Sequence, residues 1–123
     1  MKVKRIGLAL LLALAALALF QGTRKGGPEL FVTGGEPITY VCDSGERVVA
    51  RYYDLSDGSL HFVKLLFPDG RTYTLPQVLS ASGARYTDEA ELVWWTKGDE
   101  AHVERRDDEG QWQAPYESCR VEP

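Results

Sequence analysis

The stretch LHFVKLLFPDGRTYTLPQVL, residues 60–79, decides the fold class. Two runs rich in β-branched, aromatic and aliphatic residues flank Pro-Asp-Gly at 68–70, which is the chemistry of a tight turn. Within RTYTL, Tyr73 and Leu75 share one face and the two threonines share the other, which is the two-residue period of a strand. The stretch therefore predicts two strands joined by a turn.

The same pattern recurs from residue 37 to the end of the chain. Turn sequences recur every 8 to 12 residues or so, a spacing typical of a β-sandwich or β-barrel. They separate eight strand-like runs: ITYVC, RVVARYY, LHFVKLLF, RTYTLPQVL, ARYT, ELVWWT, AHVERR and QWQAPYESCRV. None of these segments keeps a 3.6-residue apolar period, so no long helix is expected. Because a closed ring leaves no strand edge unpaired, we predict a small, all-β, eight-stranded antiparallel barrel.

The N-terminal part of the chain has a different character. A basic start at residues 1–5 precedes an unbroken apolar run at 6–20, which is typical of a Sec signal peptide and short for a membrane-spanning helix. We predict three segments: a signal peptide or N-terminal anchor at 1–22, a flexible Gly- and Pro-rich tether at 23–36, and the barrel domain at 37–123. The signal-like segment predicts an exported protein of the periplasm or cell envelope, and because no cysteine stands directly after the apolar run, we expect that it is not a lipoprotein.

The charge of the exported domain limits its partners. The first five residues hold three of the 14 basic residues, which leaves 11 basic and 18 acidic residues, or a net charge of about −7. An acidic surface repels nucleic acid and anionic lipid and attracts basic proteins. We therefore expect no nucleic-acid partner, and membrane contact only through the N-terminal segment.

The two cysteines, Cys42 and Cys119, predict one disulfide bond in an exported chain. It would join the first and last strands and add about 4 kcal/mol to the stability of the domain. His61 and His102 are the only histidines, and neither C-x-x-C nor H-x-x-x-H spacing occurs, so no metal or other cofactor is expected.

Two polar side chains stand out in SASGARYTDEAELVWWTKGDEA, residues 80–101. Ser82 lies in a small flexible loop, but a nucleophilic serine needs a nearby base, and SGARY is not a G-x-S-x-G elbow. An envelope hydrolase built on Ser82 is therefore a minor alternative to a simple turn serine. Lys97, taken alone, is a hairpin lysine before Gly98.

The aromatic residues of the same stretch suggest a second alternative. Trp94 and Trp95 are adjacent, so on a strand one side chain fills the core and the other lies on the outer face. An outward tryptophan, together with Tyr86, could stack a sugar ring. A carbohydrate-binding module of the cell envelope is therefore the main alternative function.

The sequence resembles the bacterial inhibitors of chicken-type (c-type) lysozyme, which comprise membrane-bound (MliC) and periplasmic (PliC) members. The resemblance covers residues 40–119, and its most specific part is the pair of motifs S-G-x-x-Y and T-K-G, bracketed by the two cysteines. It implies an eight-stranded barrel that is not an enzyme and has c-type lysozyme, a basic protein, as its partner. Membrane-bound members carry a lipid-modified cysteine that this chain lacks, so in that respect it is similar to the periplasmic branch.

The resemblance also implies roles for individual residues. Ser82 and Lys97 would project from neighbouring loops into the active-site cleft of the lysozyme and contact its two catalytic carboxyl groups. The remaining motif residues would support the two loops: Gly83, Tyr86, Thr96 and Gly98. Neither Ser82 nor Lys97 needs a base for this role, which explains why none is apparent beside them.

Overall fold

The computed structural model describes residues 27–123, so the predicted signal peptide or anchor at 1–22 and the start of the tether lie outside the described residues. The described part of the chain consists of nine strands: β1 (Val32–Cys42), β2 (Arg47–Leu55), β3 (His61–Leu66), β4 (Thr72–Val78), β5 (Ala84–Thr87), β6 (Leu92–Lys97), β7 (Glu100–Arg106), β8 (Trp112–Gln113) and β9 (Cys119–Val121). Within residues 27–123 no helix is long and apolar enough to cross a membrane.

The strands close into a ring. Strands β1 to β7 pair with their neighbours in chain order, and every pairing is antiparallel. Strand β9 lies between β7 and β1, because Cys119 pairs with Ala101 on one side and Val121 pairs with Tyr40 on the other. Eight strands therefore form a closed barrel, and the short β8 pairs with β7 beside it. The predicted all-β, eight-stranded antiparallel barrel is confirmed.

Two strand boundaries differ from the sequence prediction. Strand β1 begins at Val32, inside the segment predicted as a tether, and residues 32–34 pair with the end of β2 across a register shift between Gly34 and Pro37. The final run, predicted as one strand over 111–121, splits into β8 and β9. It breaks because Pro115 has no N–H to donate, and because Tyr116 turns inward to stack on Phe67 at 5.6 Å between ring centroids.

Alternate side chains of the strands fill the barrel. The buried cluster comprises Tyr40, Cys42, Val48, Ala50, Val63, Leu65, Phe67, Leu75, Tyr86, Leu92, Trp94, Ala101, Val103, Tyr116 and Cys119. Trp94 has no exposed surface, whereas its neighbour Trp95 is 36% exposed on the outer face, so the two rings point to opposite sides as predicted. Full burial of each large apolar side chain stabilises the fold by about 1.5–3 kcal/mol.

A chain of hydrogen bonds runs through the core. Trp94 Nε1 donates to the Tyr52 hydroxyl at 2.9 Å, and the Tyr52 and Tyr40 hydroxyls lie 2.9 Å apart. Burial raises the pKa of Tyr52 far above its usual value, so this hydroxyl remains protonated and can both accept and donate. The polar atoms of three aromatic side chains therefore satisfy one another inside the barrel.

The predicted disulfide bond is confirmed. Cys42 and Cys119 are bonded, and they are register partners on β1 and β9, so the bond lies on the seam between the first and last strands. Closure of so long a loop contributes about 4 kcal/mol in the chain-entropy account.

Candidate functional site

The loop that carries Ser82 rests directly on strand β6. It connects β4 to β5, and Gly83 at its end has a φ of +64°, a conformation that side chains other than glycine rarely adopt. A Cβ atom at Gly83 would lie 2.2 Å from the backbone oxygen of Thr96. The Ser80 hydroxyl donates to the Gly83 carbonyl at 2.9 Å and tightens the loop. Close approach to β6 therefore requires glycine at residue 83.

Trp95 holds the same loop from the side. Its Nε1 donates a hydrogen bond of 2.8 Å to the carbonyl oxygen of Ser82. The Arg85 guanidinium, on the paired residue of β5, lies 5.9 Å from the centre of the Trp95 ring. The outward tryptophan thus positions the backbone of Ser82, a role that sequence reasoning missed.

Lys97 lies at the tip of the neighbouring hairpin. It pairs with Glu100 across a two-residue turn formed by Gly98 and Asp99. Gly98 has a φ of +58°, while Asp99 has a negative φ, which is the pattern of a type II′ turn. A Cβ atom at Gly98 would meet nothing within 4 Å, so this glycine serves the turn and not a packing contact. The turn leaves the Lys97 side chain exposed.

Ser82 and Lys97 line one groove. Ala84 pairs with Thr96 at the same end of the two antiparallel strands. The β4–β5 loop comes just before Ala84 and the β6–β7 turn comes just after Thr96, so the loop and the turn lie side by side. The groove has a volume of about 300 Å³, and its lining residues are Ser82, Trp95, Lys97, Glu100, Ala101, His102 and Ser118. Two motifs that are separated in sequence therefore meet on the barrel surface.

The charged side chains that line the groove form no ion pairs with one another. Its one carboxylate, Glu100, forms an ion pair with Arg120. His102 lies 3.5 Å from Glu104, measured from Nε2 to Oε1. Lys97 has no ion-pair partner within residues 27–123, so its ammonium is available to an external acid. In the described part of the chain no group of three or more His, Cys, Asp or Glu side chains could hold a metal ion.

Tyr86 and Thr96 lie behind the loops and not in the groove. The Tyr86 ring is buried, at 5.6 Å from the Tyr52 ring, and burial raises the pKa of its hydroxyl. The Thr96 hydroxyl lies 3.5 Å from the carbonyl of Ala84 and so links β6 to β5. Because Tyr86 is enclosed in the core, it cannot stack on a sugar, so Trp95 is the one member of the expected sugar-stacking pair that lies on the outer face.

Comparisons with known proteins point to one family. The sequence profile described as membrane-bound lysozyme-inhibitor of c-type lysozyme matches residues 40–112. A membrane-bound lysozyme inhibitor of C-type lysozyme from Pseudomonas aeruginosa is 38% identical over 52% of this chain and 48% of its own length, so this match spans about half of that relative. The protein of the same description from Yersinia enterocolitica is 33% identical over 80% of this chain and 74% of its own length.

One solved structure has a similar fold. The crystal structure of Pseudomonas aeruginosa MliC in complex with hen egg white lysozyme superposes with a TM-score of 0.57 and 24% sequence identity. The match covers 80% of this chain and 89% of that one. At this identity the likeness establishes the shared barrel fold.

Proposed function

The chain belongs to the family of membrane-bound lysozyme inhibitors of c-type lysozyme, and we propose that it inhibits such a lysozyme by inserting Ser82 and Lys97 into the active-site cleft. The observation that carries this proposal is the groove that both side chains line, in which Lys97 forms no ion pair with any carboxylate of the described residues. The inhibitor would act in the cell envelope, where it would protect peptidoglycan.

The chemistry of lysozyme matches these two side chains. The enzyme cleaves its glycan with two carboxyl groups that flank the scissile bond, about 5 Å apart in retaining glycosidases. An ammonium donates a strong charge-assisted hydrogen bond to a carboxylate, and a hydroxyl can donate to the other carboxyl group. Lys97 and Ser82 would thus bind both catalytic carboxyl groups at once, and the barrel wall behind them would exclude the substrate.

The charge of the remaining surface favours encounter with a basic enzyme. Five of the 14 basic residues precede residue 27, whereas all 18 acidic residues follow it. Such a charge excess accelerates the approach of an oppositely charged partner, and salt screens this effect. Lys97 is thus a positive charge on a domain that is acidic overall. This arrangement supports the proposal that its ammonium inserts between the catalytic acids of an enzyme that is basic overall.

Substitution of Lys97 tests the proposal. Lys97→Ala should weaken inhibition by about 2–4 kcal/mol, mainly through faster dissociation, because a desolvated carboxylate loses its partner. Ser82→Ala should weaken inhibition by about 1–2 kcal/mol, since it removes one hydrogen bond. Inhibition constants would be measured from the clearing of bacterial cell-wall suspensions by c-type lysozyme.

Lys64→Ala provides a matched control. Lys64 is also an exposed lysine without an ion pair in the described residues, but it lies on β3, on the opposite wall of the barrel. This variant should inhibit as well as the parent. If a folded Lys97→Ala protein also inhibits as well as the parent, Lys97 is only a hairpin lysine and the insertion hypothesis is wrong.

A further inference from the structure

The outer face of β2, β3 and β4 carries an ordered set of side chains. Register pairing arranges them in three rows across the strands. One row consists of Tyr53, Phe62 and Pro76. The middle row, named the cationic row after its first two members, consists of Arg51, Lys64 and Thr74. The third row consists of Val49, Leu66 and Thr72. The nine side chains include no carboxylate, although the domain as a whole is acidic.

The cationic row places two like charges side by side. Arg51 and Lys64 are direct cross-strand partners, and their Cβ atoms are expected about 5 Å apart, a distance at which like charges destabilise a sheet. Neither forms an ion pair within residues 27–123. The fold therefore retains a repulsive pair that it could have avoided, which indicates a role other than stability.

Neutral acceptors hold both cations in place. Arg51 Nη1 donates to the carbonyl of Gly35 at 2.7 Å, and Lys64 Nζ donates to the Thr74 hydroxyl at 3.0 Å. These bonds fix the side chains without neutralising their charges. Both groups keep further N–H donors, so the row is organised to receive an anion before any ligand arrives.

A groove of about 340 Å³ lies over this row. Its walls include Val49 and Leu66, the latter 47% exposed, and its lining contains no acidic residue. The volume lies at the lower end of the range for small-molecule sites. Two adjacent cations match a phosphate monoester, which carries about −1.5 to −2 charges at neutral pH.

We propose that this groove binds a small phosphate monoester, with its phosphate held between Arg51 and Lys64 and its organic part over Val49 and Leu66. The site is independent of the proposed lysozyme contact. In the eight-stranded ring β3 lies opposite β7, so both surfaces can be occupied at the same time.

An NMR titration of the 15N-labelled full-length protein with phenyl phosphate tests the proposal. Saturable shifts are expected in the amides of β2, β3 and β4, with much smaller shifts for inorganic phosphate and none for phenol. Arg51→Gln and Lys64→Gln should each weaken binding by about tenfold, the effect of one charge-assisted hydrogen bond. Arg106→Gln removes a cation that lies over Trp112, away from this groove, and should leave binding unchanged.

Thermal unfolding gives a second, independent measurement. Without ligand, each glutamine variant should melt at the same temperature as the parent or slightly higher, because like-charge repulsion is relieved. At the same concentration, phenyl phosphate should raise the melting temperature of the parent and of Arg106→Gln by more than that of the two variants. Non-saturating shifts, or equal affinity in the parent and in Lys64→Gln, would overturn the proposal.

Discussion

Replacement of Gly83 by alanine should separate the Ser82 loop from strand β6. The new Cβ would lie 2.2 Å from the Thr96 oxygen, whereas ordinary contact begins at 3.4 Å, so the loop must move by roughly 1 Å. That movement stretches the 2.8 Å bond from Trp95 Nε1 to the Ser82 carbonyl beyond hydrogen-bond distance. We expect a stability loss of about 2–3 kcal/mol, from left-handed strain of about 1–2 kcal/mol and the lost hydrogen bond of about 1 kcal/mol.

Gly98→Ala is the matched control, because Gly98 has nearly the same φ and open space around its Cα. It should cost only about 1 kcal/mol, since strain in the fold is partly offset by reduced freedom of the unfolded chain. Urea denaturation would give both losses of unfolding free energy, on the condition that the dependence of that free energy on urea concentration is the same in the variants as in the parent. If Gly83→Ala and Gly98→Ala lose equal stability, the loop does not depend on close contact with β6 and this reasoning is refuted.

Three further results are expected. Reduction of the Cys42–Cys119 bond should lower the free energy of unfolding by about 2–5 kcal/mol, and two reactive thiols in the untreated protein would contradict the structure. Tyr52→Phe should cost about 1–3 kcal/mol in urea denaturation, because it leaves the buried Nε1 of Trp94 without its acceptor; a neutral result would mean that another acceptor is within reach. Asp99→Lys should slow association with lysozyme in stopped-flow measurements at low salt, and the difference from the parent should vanish as salt is added.

Local chemistry was sufficient to predict most of the barrel. Alternation and turn residues locate the strands, because each strand has one face in the core and each turn needs particular backbone angles. The start of β1 was missed because Gly34 and Gly35 are typical of a linker, whereas here they form an irregularity in a paired strand. The break before β9 was missed because the inward turn of Tyr116 depends on its contact with Phe67, which lies far away in sequence.

The candidate site was only partly accessible from the sequence. Composition and spacing alone left Ser82 and Lys97 as an ordinary turn serine and hairpin lysine, and the family resemblance brought them together. The supporting role of Trp95 could not be inferred, because a strand pattern shows which side a ring faces but not which carbonyl its N–H reaches. The pairing of Arg51 with Lys64 was hidden for the same reason, since it requires the register of β2 and β3.

The shortness of β9 affects how long the folded barrel survives. With three residues, β9 is the shortest strand of the ring, and it pairs with β7 through two residue pairs and with β1 through three. The covalent link between Cys42 and Cys119 ties β9 to β1, so β9 cannot leave the sheet while the bond is intact, even when its two pairs with β7 open. The bond should therefore slow unfolding as well as stabilise the fold, and lengthen the half-life of the protein among proteases.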